Sequence, residues 1–148
     1  MKYFDKYNLK QVPPQQLKEE YEHHCSTTNG NGLYRFENLE DASSFLVVSN
    51  NKSFLVEKCY NSQDYIGLAT RISYTNNNDF YSVGENVFLK PQTEDEGKVE
   101  PIKSYEGFVI SNGEQFELTQ INAQFIYQGC KDAIENACAT QDAIIAEQ

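Results

Sequence analysis

The sequence predicts a single α+β domain: an antiparallel, curved β-sheet with a short N-terminal helix and a long C-terminal helix packed on it. The 148 residues suffice for one domain with its own core. Short apolar runs separated by turn residues occupy residues 32–118, which is typical of consecutive antiparallel strands and not of alternating strands and helices. Helical spacing of apolar residues covers about 14–26 and about 120–146.

The first helix is predicted to begin at Pro14, because proline fits the first turn, where its missing N–H is not needed. One face then carries four residues at helical spacing, Leu17, Tyr21, His24 and Cys25. The Asn-Gly pairs at 29–32 end this helix and begin a loop.

Turn residues divide the strand region. Two apolar runs at 45–48 and 54–60 flank a polar loop, which predicts a hairpin. Asn112-Gly113 between two further runs is a strong hairpin signal, because both turn residues need positive φ. We also predict a turn at 76–79, strands at 65–74, 86–90 and 107–111, and a bulge or bend at Gly67.

The last helix follows Thr119, a residue that can cap a helix N-terminus. Its predicted apolar stripe consists of Ile126, Cys130, Ala133, Ile134, Ala137, Cys138, Ile144 and Ile145. Gly129 inside this helix costs up to about 1 kcal/mol relative to alanine, so we expect either a close approach by another element or a bend there. The sheet is the surface available to bury the stripe.

The net charge of −10 is concentrated near the end of the chain, where residues 91–148 contain three Lys and eleven acidic residues. This field repels phosphate backbones and anionic lipids, so we expect no nucleic-acid partner and favour a basic protein. The alternative is that the charge only maintains solubility. No apolar run is long enough to insert into a membrane. The first residues lack the features of a signal peptide, which predicts a cytoplasmic protein, with export lacking a recognisable leader as the alternative.

Catalytic and metal-binding motifs are not found in the sequence. The adjacent His23, His24 and Cys25 diverge by about 100° per residue on a helix and cannot converge on one ion. Cys130 or Cys138 could meet His24 only if the two helices touched. We therefore predict no catalytic residue, metal or cofactor, and four free thiols rather than a disulfide framework.

These observations favour a non-enzymatic, acidic protein-interaction domain of the inhibitor, immunity or secretion-chaperone type. Its predicted partner-binding residues are Glu94, Asp95, Glu96, Glu100, Glu106, Asp132, Glu135 and Asp142. One alternative is a carrier that holds a small apolar ligand between the sheet and the C-terminal helix, suggested by the many aromatic residues and Gly129. Another is an exported effector or small enzyme of unknown activity. A closed apolar cavity would favour the carrier, and a filled core with a flat acidic face would favour the interaction domain.

Overall fold

Seven strands follow one another in chain order across one antiparallel sheet, so that each strand pairs with the next along the chain. The computed structural model describes residues 12–28, 30–36, 42–50, 52–61, 65–91 and 102–146. Its elements are α1 (Pro14–Ser26), β1 (Gly32–Arg35), β2 (Ala42–Ser49), β3 (Lys52–Asn61), β4 (Tyr65–Asn76), β5 (Asp79–Pro91), β6 (Ile102–Ser111), β7 (Glu114–Glu117) and α2 (Gln120–Ala146). The predicted fold class is confirmed, and β1 and β7 form the two edges of an open sheet.

Tight turns with positive φ angles join neighbouring strands. Asn112 and Gly113 have φ angles of 52° and 80° between β6 and β7, and Asn77 and Asn78 have 52° and 71° between β4 and β5. Positive φ at both central residues is the signature of the turn whose twist matches that of the flanking strands. Both turn predictions are therefore confirmed.

Two strands begin earlier than the sequence predicts. Small and polar residues interrupt the apolar pattern in their first halves, so the pattern alone places the start of each strand too late. β5 begins at Asp79 rather than near residue 86, and β6 begins at Ile102 rather than residue 107. Ser82 is fully buried in β5, where its hydroxyl lies 3.1 Å from that of Ser73 on β4. The irregularity predicted at Gly67 is confirmed by a shift in the β4–β5 register there.

The two helices cover opposite faces of the sheet. Leu17 and Tyr21 of α1 belong to one buried cluster with Leu55 of β3, whereas Tyr127 of α2 belongs to a second cluster with Val56. Leu55 and Val56 are consecutive on one strand, and consecutive strand residues point to opposite faces. Fully burying a large apolar side chain contributes about 1.5–3 kcal/mol, so each cluster anchors its helix.

α2 lies across the face of the sheet opposite to α1. Its backbone is near β5 and β6 and also near β1 and β2. Its side chains Tyr127 and Cys130 pack with Val56 of β3 and Ile72 of β4. The curvature of the sheet stays a prediction from the sequence.

The start of α2 agrees with the predicted cap, since the Asn122 backbone N–H donates to the Thr119 hydroxyl at 3.1 Å. Its buried residues are Ala123, Tyr127, Cys130 and Ala137, of which the predicted stripe included Cys130 and Ala137 and missed Ala123 and Tyr127. Ala133, which the stripe did include, is exposed.

The close approach expected at Gly129 is wrong. Gly129 is exposed, and a Cβ atom built there would meet nothing within 4 Å. The glycine lies on the side of α2 away from the sheet and therefore gives no support to a ligand site.

Candidate functional site

A partly open cleft of about 250 Å³ lies between α2 and the sheet. Tyr127 of α2 packs on this face of the sheet, and the cleft lies beside that contact. The cleft is lined by Phe45, Val56, Lys58, Leu68, Thr70, Ile72, Glu85, Tyr127, Lys131, Ile134 and Glu135. It is not the closed cavity that the sequence-based carrier hypothesis described.

One part of the cleft floor is apolar. Phe45 of β2 pairs with Val56 of β3, which pairs with Ile72 of β4, so the three side chains form a continuous row on the face toward α2. Leu68 extends this surface along β4, and Ile134 faces it from the helix. An apolar molecule in the cleft would thus contact both walls.

A second row across the same face is polar. Lys58, Thr70, Glu85 and Tyr105 are successive cross-strand partners on β3, β4, β5 and β6. We call these four residues the polar row. Because neighbouring strands lie about 4.8 Å apart, the ends of the row are separated by roughly 14 Å. The row gives the cleft a cationic end at Lys58 and a hydroxyl–carboxylate end at Glu85 and Tyr105.

The Glu85 carboxylate is held by tyrosines. The Tyr105 hydroxyl donates to Glu85 Oε2 at 2.7 Å, and the Tyr127 hydroxyl of α2 lies beside Thr70 and Glu85. Burial, reinforced by the neighbouring Glu85 carboxylate, raises the pKa of Tyr105 to about 12 and the pKa of Tyr127 well above its ordinary value. Both phenols therefore stay protonated at neutral pH, and the tyrosines serve as hydrogen-bond donors to an anionic acceptor.

Two lysines face the cleft from opposite walls. Lys58 stands on the sheet with its Nζ 6.0 Å from the centroid of the Phe45 ring, and Lys131 stands on α2. Among the described residues, no ion pair within 4 Å is seen between either lysine and a carboxylate. Both side chains therefore line the cleft without a described carboxylate partner.

A Cys–His catalytic pair is not formed by the two helices. His24 packs on the Phe36 ring beside α1, at a centroid distance of 4.0 Å, whereas Cys130 packs with Phe54 under α2 on the other face of the sheet. Burial also raises the pKa of the Cys130 thiol to about 11, which disfavours the thiolate that a nucleophile requires. Within the described ranges, no three His, Cys, Asp or Glu residues are grouped so that they could hold a metal ion.

The acidic residues predicted to bind a partner do not form one cluster among those described. Glu94, Asp95, Glu96 and Glu100 lie outside the described residues. Glu106 shares the face of β6 with Phe108, toward α1, while Asp132 is exposed on α2 and accepts a hydrogen bond from Gln128 at 3.2 Å. Glu135 is exposed and lines the cleft, and Asp142 is in α2 with its side chain outside the described part.

Sequence reasoning missed a buried ion pair between Arg71 and Glu57, on the face toward α1. Arg71 Nε donates to Glu57 Oε1 at 2.9 Å, and Nη2 contacts the same oxygen. Both residues are buried. The signal that could have revealed them is that each charge stands inside a strand, in phase with core residues such as Leu55 and Ser73.

Three large apolar side chains are exposed near the β7 edge of the sheet and the start of α2. Phe116 is 49% exposed, Ile121 78% and Phe125 80%. Phe116 lies on an edge strand between the exposed Glu114 and Glu117. Ile121 and Phe125 are four residues apart and share the side of α2 away from the sheet.

Comparison of the chain with protein-family models, curated proteins and solved structures finds no match. No helix among the described residues is long and apolar enough to cross a bilayer. Function is therefore inferred from the chain's own residues.

Proposed function

We propose that this protein binds a small, mainly apolar molecule in the cleft between α2 and the central strands. The observation that carries this proposal is the cleft itself, a concave space with apolar walls and a few convergent polar groups, which is the usual form of a small-molecule site. It ranks above the acidic interaction domain favoured by the sequence, because the predicted partner-binding acids that the structure describes do not form one cluster.

The size of the cleft limits the ligand. An apolar cavity of about 150 Å³ can hold benzene, so a space of about 250 Å³ suits a molecule of about ten non-hydrogen atoms. Its apolar body would lie against Phe45, Val56 and Ile72. Its hydrogen-bonding groups would meet Thr70 and the Glu85 carboxylate.

The expected affinity is modest. A ligand of this size that gains about 4–6 kcal/mol binds with a Kd between roughly 1 mM and 0.05 mM. Saturable binding in this range is measurable by titration with NMR detection.

Octan-1-ol is a suitable uncharged ligand for the test. Titration into ¹⁵N-labelled protein should shift the amide signals of the cleft strands β3 and β4 and of α2 around Ile134. Replacing Ile134→Trp should abolish saturable binding by filling the cleft. The matched control Gln124→Trp places the same side chain at an exposed position of α2 and should leave binding unchanged. Shifts confined to other surfaces, or binding that survives Ile134→Trp in a folded protein, would refute the proposal.

A second candidate function is binding of a basic protein, as the charge distribution first suggested. The observation that favours it is the exposure of Phe116 between Glu114 and Glu117 on the edge strand β7. An edge strand presents unpaired backbone groups to which an extended segment can add. A segment with basic residues on both sides of an apolar one would complement this edge in charge and polarity.

Two sets of substitutions test the second candidate. Phe116→Ser removes the apolar contact, and replacement of Glu94, Asp95, Glu96 and Glu100 by Gln or Asn removes the acidic residues predicted from sequence. Each variant should lose a partner that the unmodified protein captures from a lysate of its own cells, and capture should weaken as salt rises. If the variants capture the same partners with the same salt dependence, the acidic residues do not bind a partner and serve only to keep the protein soluble.

A further inference from the structure

We propose that the molecule bound in the cleft is an amphipathic anion, with an apolar body on the central strands and a carboxylate or similar head between Lys58 and Lys131. This inference rests on the proposed ligand site. It adds which charge the ligand carries and which residues recognise it.

Both lysines line the cleft, one from each wall. Lys131 is the sole basic residue in the sequence of α2, and it lies against the cleft. Lys58 begins the polar row on the opposite wall. In a chain of net charge −10, the cleft lining holds two lysines and two glutamates, so its formal charge is balanced where the chain as a whole is acidic. Among the described residues neither lysine forms an ion pair with a carboxylate, so an anionic head competes there with no described carboxylate.

Glu85 and Glu135, the two carboxylates of the cleft, do not oppose anion binding equally. Glu85 already accepts a hydrogen bond from the Tyr105 hydroxyl at 2.7 Å and lies beside Tyr127, so protein donors occupy part of its accepting capacity. Glu135 is exposed and one helical turn from Lys131. Its charge should weaken anion binding. A variant that removes this charge is therefore the matched control for the variants that remove the lysine charges.

The experiment compares three molecules with the same chain and different heads: octanoate, octan-1-ol and octylamine. Titrations at neutral pH are followed by amide shifts of β3, β4 and α2, as for the proposed function. Octanoate should bind most tightly and octylamine least. The double variant Lys58→Gln, Lys131→Gln should weaken octanoate binding about tenfold while leaving octan-1-ol binding within about twofold. Glu135→Gln should tighten octanoate binding.

The outcomes separate this inference from the proposed function. If octan-1-ol binds in the cleft but octanoate binds no better, or if the lysine variant leaves octanoate binding unchanged, the anion inference is overturned and the ligand site stands. Preference for octylamine would show that Glu85 and Glu135 decide the specificity, which also overturns it. If none of the three binds in the cleft, both proposals fail. Raising the salt concentration should weaken octanoate binding and spare octan-1-ol, because screening acts on the charged head alone.

Discussion

Replacing Arg71→Met should destabilise the protein strongly, because it leaves the Glu57 carboxylate buried without its cation. Both side chains are almost inaccessible, with 3% of Arg71 and 7% of Glu57 exposed. Removing one partner of such a pair typically costs about 3–5 kcal/mol, since the remaining charge is neither solvated nor paired. For a domain of this size, that corresponds to a fall in melting temperature of roughly 10 °C or more.

The double variant Glu57→Met, Arg71→Met distinguishes the interaction between the two charges from the interaction of each charge with its surroundings. Replacing a buried ion pair by apolar side chains of similar volume is often neutral or stabilising, so the double variant should recover most of the lost stability. Urea unfolding followed by circular dichroism gives the free energy of unfolding for the unmodified protein, both single variants and the double variant. Lys103→Met, at an exposed position, should change this free energy by about 0.5 kcal/mol or less.

A coupling energy below about 1 kcal/mol between the two positions would refute this reasoning. So would a double variant that is less stable than either single one. Either result would mean that the surroundings, and not the mutual charge, determine the cost of each side chain.

Further predictions concern backbone packing, thiols and pH. Gly107→Ala should destabilise the protein by about 1–3 kcal/mol, because the new Cβ would lie 2.8 Å from a carbonyl oxygen of β5. Gly129→Ala should stabilise it by up to about 1 kcal/mol, because the new Cβ would meet nothing and alanine favours the helix. Chemical unfolding measures both changes. Mass spectrometry of unreduced, unfolded protein should find four alkylated cysteines, and in the folded protein at pH 8 Cys130 should react more slowly than a model thiol, because burial raises its pKa to about 11. Burial lowers the pKa of His24 below its ordinary value of 6.5. The unfolded chain therefore takes up a proton at this residue before the folded protein does, and the folded protein loses stability as pH falls below 6.5. His24→Gln should reduce the loss of stability between pH 7 and pH 5.

Local features of this fold could be predicted from sequence, because their causes lie within a few residues. Asn112-Gly113 adopts the positive φ angles that its hairpin needs, and the Thr119 hydroxyl caps α2. The start of β5 was missed for an equally local reason. Ser82 is buried but polar, so the alternation that marks a strand is broken where the strand begins.

The cleft could not be predicted in this way, because it depends on strand register. Lys58, Thr70 and Glu85 are far apart in sequence and become neighbours only when the pairing of β3, β4 and β5 is known. Their alternation with apolar residues indicates a strand, but not which face of the sheet meets which helix. The carrier hypothesis named the two elements that line the cleft, yet one of its stated reasons, Gly129, is exposed on α2.

The two proposed functions use different parts of the fold, the cleft under α2 and the edge strand β7 with Phe116, which makes them separable. The inner side of α2 is anchored by the buried Ala123 and Tyr127 and supplies Lys131 and Ile134 to the cleft, while the outer side presents Ile121 and Phe125 to solvent. Substitutions on the outer side therefore need not disturb the cleft, and substitutions in the cleft need not alter the exposed apolar residues. A ligand that entered the cleft without moving α2 should leave the affinity for a partner at β7 unchanged. If octanoate does change that affinity, α2 has moved relative to Phe116, and the partner should then change the affinity for octanoate by the same factor.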